Sequence, residues 1–119
     1  PDELSIIGSD GFSRRNFRVK YWIENPSTYS DIEFQPDPLD SAVAARPVTD
    51  EQKEFLPYYG PDSRFLFMGH YWLSGIPAPL THNIACLDYS AVKGGRMVAY
   101  RLDDESSLSA DKFVWVDGN

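Results

Sequence analysis

The sequence predicts an α+β fold in which a helical, proline-rich first half packs on a small, mostly antiparallel sheet from the second half. The first observation behind this prediction is a change of texture near Gly60. Residues 1–60 are polar, aromatic and punctuated by proline, whereas residues 61–119 contain short apolar runs separated by glycine and proline. The second is composition, because 42% hydrophobic and 14% aromatic residues suffice for a core. With 119 residues, we expect a single domain over residues 1–119.

The first half contains two helix signals. Ser13 is a candidate N-cap for a helix over residues 14–24, which a proline then ends. Thr49 opens a capping box and predicts a short helix over residues 50–55. Between them, residues 27–48 contain several prolines and are typical of an extended segment or loop with one helical turn.

Four short apolar runs in the second half predict β-strands. Their bounding residues are mostly glycine, proline or polar, which favours short strands over helices. The runs cover residues 64–68, 84–87, 96–101 and 113–116. Because Gly94 and Gly95 indicate a tight turn, we expect residues 84–88 and 96–101 to pair as an antiparallel hairpin. The polar residues 103–111 are predicted to form a solvated loop.

Charge and composition exclude several classes of protein. Eighteen acidic against 11 basic residues give a net charge of −7, which repels phosphate backbones and argues against nucleic-acid binding. No apolar run is long enough to span a membrane. Cys86 is the single cysteine, so an internal disulfide is impossible, and we expect it to be a small core residue. These features favour a cytoplasmic protein without membrane partners.

The connection between the first two predicted strands is unusually long and contains both histidines of the chain. Residues 69–83 lie inside a compact region, where connections of this length are often functional. His70 follows a strand and a glycine, where an imidazole could ligate Zn, Mn or Fe, or could simply hydrogen-bond within the loop. His82, beside Asn83, is expected to satisfy backbone groups instead.

Polar and cationic residues after the second strand form a further candidate site. Asp88 and Tyr89 follow that strand, with Lys93 and Arg96 close behind in sequence. A tyrosine and a cation at strand ends could contact a phosphate, although Asp88 could equally begin a turn with Lys93 in solvent. The three tryptophans are expected to be packing residues: Trp22, Trp72 and Trp115.

Two stretches of the second half resemble a known enzyme family. They are Phe67-Met-Gly-His-Tyr-Trp-Leu-Ser-Gly-Ile-Pro77 and Asn83-Ile-Ala-Cys-Leu-Asp-Tyr-Ser-Ala-Val-Lys-Gly-Gly-Arg-Met-Val-Ala-Tyr-Arg101. They resemble the carboxy-terminal part of bacterial calcineurin-like metallophosphoesterases, in the branch related to serine/threonine protein phosphatases and diadenosine tetraphosphatases. The resemblance covers roughly residues 64–102 and, more loosely, residues 18–22.

The resemblance implies a fold, a cofactor and site residues. Members of the family form a β-sandwich whose strand ends hold two divalent metal ions, Mn, Fe or Zn, which activate a water molecule for phosphoester hydrolysis. His70 matches the family's Gly-His motif and would ligate one ion. Many members have a second histidine where this chain has Trp72, but phosphoprotein-phosphatase-like members also lack it. Asp88 and Tyr89 fall where the family places a loop beside the substrate phosphate.

The family's other motifs are missing, and this limits the expected activity. The Asp-x-His, Gly-Asp-x-x-Asp-Arg and Gly-Asn-His-Glu elements are absent, so no catalytic residue is assigned. We therefore expect the chain to be the carboxy-terminal fragment of a phosphatase or nucleotide hydrolase, inactive alone and without an ordered dinuclear metal centre. The parent would act on a phosphorylated small molecule, a nucleotide or a phosphoprotein. Without the rest of the sandwich an apolar sheet face would be exposed, which favours a homo-oligomer.

Two alternatives remain open from the sequence. The chain could be an independent small interaction domain that shares the sheet pattern. It could also be a natural truncation of the same fold with a structural or regulatory role. Upstream coding sequence containing the missing motifs would favour the fragment over both alternatives.

Overall fold

Short helices and small sheets alternate along the chain in the computed structural model, which describes residues 6–7, 11–14, 16–34 and 39–118. The protein is therefore a small mixed α/β protein. It divides into two compact units, Pro1–Gly60 and Pro61–Asn119. None of the helices in the described part is long and apolar enough to cross a membrane.

The first unit consists of strand pairs and one- or two-turn helices. Strand β1 pairs with β2, and β3 pairs with β4, both antiparallel. In chain order its elements are β1 (Ile6–Ile7), β2 (Ser13–Arg14), β3 (Arg18–Val19), α1 (Tyr29–Ile32), β4 (Glu33–Phe34), α2 (Ser41–Ala44) and α3 (Asp50–Phe55). Residues 35–38 of the predicted extended segment lie outside the described residues.

The helix predicted over residues 14–24 is wrong. The structure places β3 there, and the pairing continues where the Lys20 amide donates to the Ile32 carbonyl at 2.7 Å. This segment is rich in aromatic and β-branched residues, which lose side-chain freedom in a helix and pack well on a strand. The Trp22 ring, for example, meets Phe34 edge-to-face with 5.4 Å between centroids.

The short helix α3 confirms the capping prediction. The Gln52 amide donates to the Thr49 hydroxyl at 3.2 Å, and the Thr49 amide donates to the Gln52 side-chain oxygen at 3.0 Å. These reciprocal bonds satisfy two amides that a helix leaves without partners. Asp31 performs a related role at α1, where its carboxylate accepts from the amides of Ser27 and Thr28, both at 2.9 Å.

The second unit contains the four predicted strands, with boundaries shifted by one or two residues, and one additional short strand. They are β5 (Leu66–Met68), β6 (Ile84–Cys86), β7 (Asp88–Tyr89), β8 (Arg96–Tyr100) and β9 (Phe113–Asp117). β7, β8 and β9 form an antiparallel sheet in that order, whereas β5 and β6 form a separate parallel pair.

The parallel pair corrects the prediction of how residues 84–88 are paired. Residues 84–86 pair with β5, so only Asp88–Tyr89 joins the antiparallel hairpin with β8 that was expected for all of residues 84–88. A parallel pair requires a long crossover, which residues 69–83 provide. Ile84, Ala85 and Cys86 are all fully buried, which is typical of a parallel strand covered on both faces.

The core of this unit fixes the parallel pair against the antiparallel sheet. Ala85 of β6, Leu108 and Phe113 are its buried members. Tyr100 of β8 meets both Phe67 and Phe113, with ring centroids 5.3 and 5.1 Å apart. Because this packing covers β6 with aromatic side chains, the carboxyl ends of β5 and β6 are held firmly at one edge.

Candidate functional site

His70 lies at the carboxyl edge of the parallel pair, two residues after the end of β5, and it is exposed. This placement confirms the position predicted from the sequence. The neighbouring strand ends are close: a Cβ atom added to Gly69 would lie 3.9 Å from Cβ of Asp88. We call residues 69–83 the His70 loop.

Two residues of the His70 loop adopt an uncommon backbone conformation. His70 has φ of 67° and Trp72 has φ of 48°, both in the left-handed region. Side chains other than glycine visit this region rarely, and each such residue costs about 1–3 kcal/mol. Such conformations persist only where surrounding contacts hold them.

Leu73 anchors the loop to the turn beneath it. Its amide donates to the Asp88 carbonyl at 2.9 Å, and its carbonyl accepts from the Ser90 hydroxyl at 3.2 Å. The Leu73 side chain is only 8% exposed, so burial of an apolar group reinforces both bonds. These contacts fix the backbone immediately after His70 and Trp72.

Arg96 fastens the far side of the same loop segment. Its guanidinium donates from Nη1 to the Gly75 carbonyl and from Nε to the Asp117 carboxylate, the latter at 2.8 Å. The guanidinium carbon also lies 5.6 Å from the centre of the Trp115 ring. One side chain of β8 thus connects the His70 loop to β9.

Cys86 lies beneath the loop as a buried, inert thiol. Its sulfur is 3.9 Å from the Asp88 carbonyl, and the Tyr71 backbone also hydrogen-bonds to it. Burial raises the pKa of the Cys86 thiol, which keeps it protonated and unsuited to nucleophilic attack. The structure therefore confirms Cys86 as a small core residue.

The His70 imidazole contacts an aromatic ring and is otherwise open. It stands perpendicular to the Trp72 indole, at 88° and with 6.0 Å between centroids. The Lys93 ammonium in turn lies 3.6 Å from the centre of the indole. Within the described part of the chain, no hydrogen bond or ion pair occupies the ring nitrogens of His70, so its lone-pair nitrogen is open to a ligand.

His82, at the other end of the loop, is used differently. Its Nε2 hydrogen-bonds with the Pro61 carbonyl at 2.9 Å. The neighbouring Asn83 is buried, and its side-chain amide donates to the Ser63 carbonyl at 3.2 Å. Both side chains satisfy backbone groups, as the sequence predicts.

Asp88 and Tyr89 lie directly under the loop. Asp88 is half-buried, and its Oδ1 accepts from the Ser90 amide at 3.1 Å. Tyr89 is 5% exposed, its hydroxyl accepts from the Ala78 amide at 3.1 Å, and burial raises its pKa. The structure brings Asp88 beside Gly69, the residue before His70, whereas the phenol of Tyr89 supports the loop from below. Their proximity to a substrate remains a prediction.

The tryptophan prediction holds for one residue of three. Trp22 packs against Tyr21 and Phe34. Trp72 and Trp115 are 40% and 39% exposed and each meets a cation, so the prediction of a packing role is wrong for both. Sequence spacing gave no signal for the contact between Trp72 and Lys93, because it depends on how the loop folds back over the β7–β8 turn.

The site fits one metal ligand and not a complete metal centre. Across residues 6–7, 11–14, 16–34 and 39–118, no group of three or more His, Cys, Asp or Glu side chains could hold an ion. The open imidazole of His70 has the chemistry of a single nitrogen ligand for a borderline metal such as Zn or Mn. Searches for similar proteins found no protein-family model, no curated protein and no solved structure that matches the chain.

Proposed function

We propose that this chain is the carboxy-terminal portion of a calcineurin-like metallophosphoesterase and that His70 ligates one divalent ion of its metal centre. The observation that supports this best is the state of His70 itself. The imidazole is exposed at the carboxyl edge of the parallel pair, in a loop whose strained backbone is anchored on both sides. Rigid presentation of an unused nitrogen ligand is what a metal site requires.

The chemistry of such a centre assigns a limited role to this chain. When bound, the divalent ions, Mn, Fe or Zn, polarise a phosphate and lower the pKa of a bound water. The chain presents one imidazole, and the Leu73 and Cys86 side chains that support its loop are buried. The other ligands and the catalytic groups must come from outside the described residues, and we therefore propose that the chain alone is inactive.

The three-stranded sheet supports a place in a larger sandwich. Register pairs Met97 with Val116 and Ala99 with Val114, so these four side chains share one face. All four are exposed, Met97 by 68% and Val116 by 64%. An apolar sheet face of this kind is normally covered, and we propose that the remaining sandwich covers it in the complete enzyme and that a second copy covers it in the chain alone.

The same face favours a second candidate function. A small non-catalytic interaction or regulatory domain would also expose an apolar sheet face, but it would have no use for a metal ligand. The two functions therefore differ in whether His70 binds an ion and whether its loss affects activity.

A paired measurement separates these functions. The chain and the longer protein that the proposal requires are assayed with a chromogenic phosphomonoester and Mn²⁺, with His70→Ala and with His82→Ala as matched control. We expect no turnover by the chain, activity in the longer protein, and a loss of more than about 100-fold with His70→Ala, since even residues that merely support a ligand contribute 10- to 100-fold. A longer protein as active with His70→Ala as without it would contradict the proposal.

A further inference from the structure

We infer that Trp72 and Lys93 are positioning residues for the His70 imidazole, with Trp72 fixing the ring and Lys93 holding Trp72 in place. This inference rests on the proposed function, because positioning matters only if His70 binds a ligand. It goes beyond that function by assigning two residues that touch neither metal nor substrate.

The contact between Trp72 and His70 restrains an otherwise open side chain. An exposed imidazole on a loop samples several rotamers, and each departure from the ligating rotamer weakens ion binding. A perpendicular indole, 6.0 Å away between centroids, narrows that choice through the favoured edge-to-face arrangement of aromatic rings. The indole thus acts on the orientation of the imidazole and does not itself bind the ion.

Lys93 extends the restraint to the turn below the loop. Its ammonium is 3.6 Å from the indole centre, a close cation–π contact. Its backbone is fixed in the 3₁₀ turn Ala91–Lys93, where its amide donates to the Ser90 carbonyl at 2.8 Å. Ser90 also bonds Leu73, so one turn holds the His70 loop by its backbone and by the Trp72 side chain.

The backbone of Trp72 indicates that its position is selected and not incidental. It has φ of 48°, yet its side chain remains 40% exposed, so core burial does little to offset the strain. Trp115 shows the contrast: it is equally exposed and also meets a cation, but it lies in the regular strand β9. Strained conformations that packing does not demand are concentrated at functional sites.

The test uses the chain itself and Mn²⁺ as the probe. Paramagnetic broadening of the His70 ring signals in NMR gives the apparent affinity, and the His82 ring is an internal control. Side-chain couplings of His70, measured without metal, report how many rotamers it samples. The variants are Trp72→Ala, Trp72→Phe, Lys93→Met and Lys93→Arg, with Trp115→Ala as the matched control.

We expect Trp72→Ala to average the His70 rotamers and to weaken Mn²⁺ binding about three- to tenfold, in keeping with the strength of aromatic pairs. Lys93→Met should have a smaller effect of the same kind, and Trp72→Phe and Lys93→Arg should restore most of the restraint. Trp115→Ala should leave His70 unchanged. Should Trp72→Ala unfold the chain, Trp72→Phe and Lys93→Met still decide the matter.

The outcomes distinguish this inference from the proposed function. If His70 keeps a single rotamer in both Trp72→Ala and Lys93→Met, the inference is overturned, whether or not Mn²⁺ broadens the His70 signals. Rotamer averaging in these variants, together with no Mn²⁺ broadening of the His70 signals in the unsubstituted chain, would refute metal binding by His70. It would leave intact the inference that Trp72 and Lys93 restrain the imidazole.

Discussion

Two long loops of the second unit show opposite uses of polar side chains. The His70 loop, residues 69–83, contains two left-handed residues besides Gly75 and presents rings to solvent. The loop of residues 101–112, which we call the acidic loop, contains no left-handed residue. Both belong to the same compact unit, yet only one of them leaves an imidazole nitrogen open.

The polar groups of the acidic loop and of the adjoining Tyr100 hydrogen-bond or pair with one another. The Tyr100 hydroxyl donates to Glu105 at 2.9 Å and accepts from the Ser109 amide at 3.0 Å. Lys112 forms an ion pair with Asp103, and Leu108 fills the core at 6% exposure. A loop whose donors and acceptors are paired with one another has a structural role, and the contrast teaches that function is to be sought where strain and unused ligands occur together.

The largest expected loss of stability comes from a substitution that displaces the turn beneath the His70 loop. In Gly95→Ala the new Cβ would lie 2.1 Å from the Tyr89 carbonyl oxygen, so the β7–β8 turn must move. We expect a loss of about 3 kcal/mol or more in the free energy of unfolding, measured by urea denaturation. Gly75→Ala is the control: it has φ of 84° and nothing within 4 Å, and should lose about 1 kcal/mol. Equal losses would contradict this prediction.

Two leucine truncations compare the loops directly. Leu73→Ala and Leu108→Ala each remove a buried side chain, 8% and 6% exposed, and each should cost about 2–5 kcal/mol by leaving a cavity. Only Leu73→Ala should also shift the NMR signals of His70 and Trp72, since only that leucine anchors their loop. Similar shifts from Leu108→Ala would remove the distinction between the loops.

How much of this was predictable depends on the range of the interactions. The capping box at Thr49 is a local interaction, so the sequence predicts it correctly. The position of His70 after the end of a strand is predicted for the same reason. The predicted helix over residues 14–24 failed because pairing with β4 overrides any local helix signal. The parallel pair and the contact of Lys93 with Trp72 depend on a long crossover, and no spacing rule in the sequence encodes them.

We expect alkaline pH to lower the free energy of unfolding of the second unit by ionising Cys86, before the tyrosines ionise. Burial raises the pKa of the Cys86 thiol above its usual value of 9.0, so the folded state keeps a proton that the unfolded state releases. This stability is present below pH 9 and is lost as pH rises through the folded-state pKa. Denaturation at several pH values should show the loss starting near pH 9, and Cys86→Ala should delay it until Tyr89 and Tyr100 ionise. If stability begins to fall at the same pH in Cys86→Ala, Cys86 is not the group responsible.

The smallest effect belongs to the acidic loop. The Lys112 ammonium beside Asp103 holds the pKa of that carboxyl below its usual value of 3.8. The contribution of this ion pair to stability is therefore present above pH 3.8 and is lost as pH falls through the folded-state pKa of Asp103. Because the pair is exposed, Asp103→Asn should change the unfolding midpoint only slightly at neutral pH and leave the His70 signals unchanged. A large shift of either would mean that the acidic loop also shapes the site.

The parallel pairing of β5 with β6 also sets an order of events in time. Antiparallel hairpins such as β7–β8 close within about 1–10 μs, because their partners are near in sequence. β5 pairs with β6 only after residues 69–83 have crossed back, and such non-local pairing is slow since chain entropy is lost before contacts form. We therefore expect the His70 loop to take its shape late, so that the chain acquires its ligand geometry only as folding is completed.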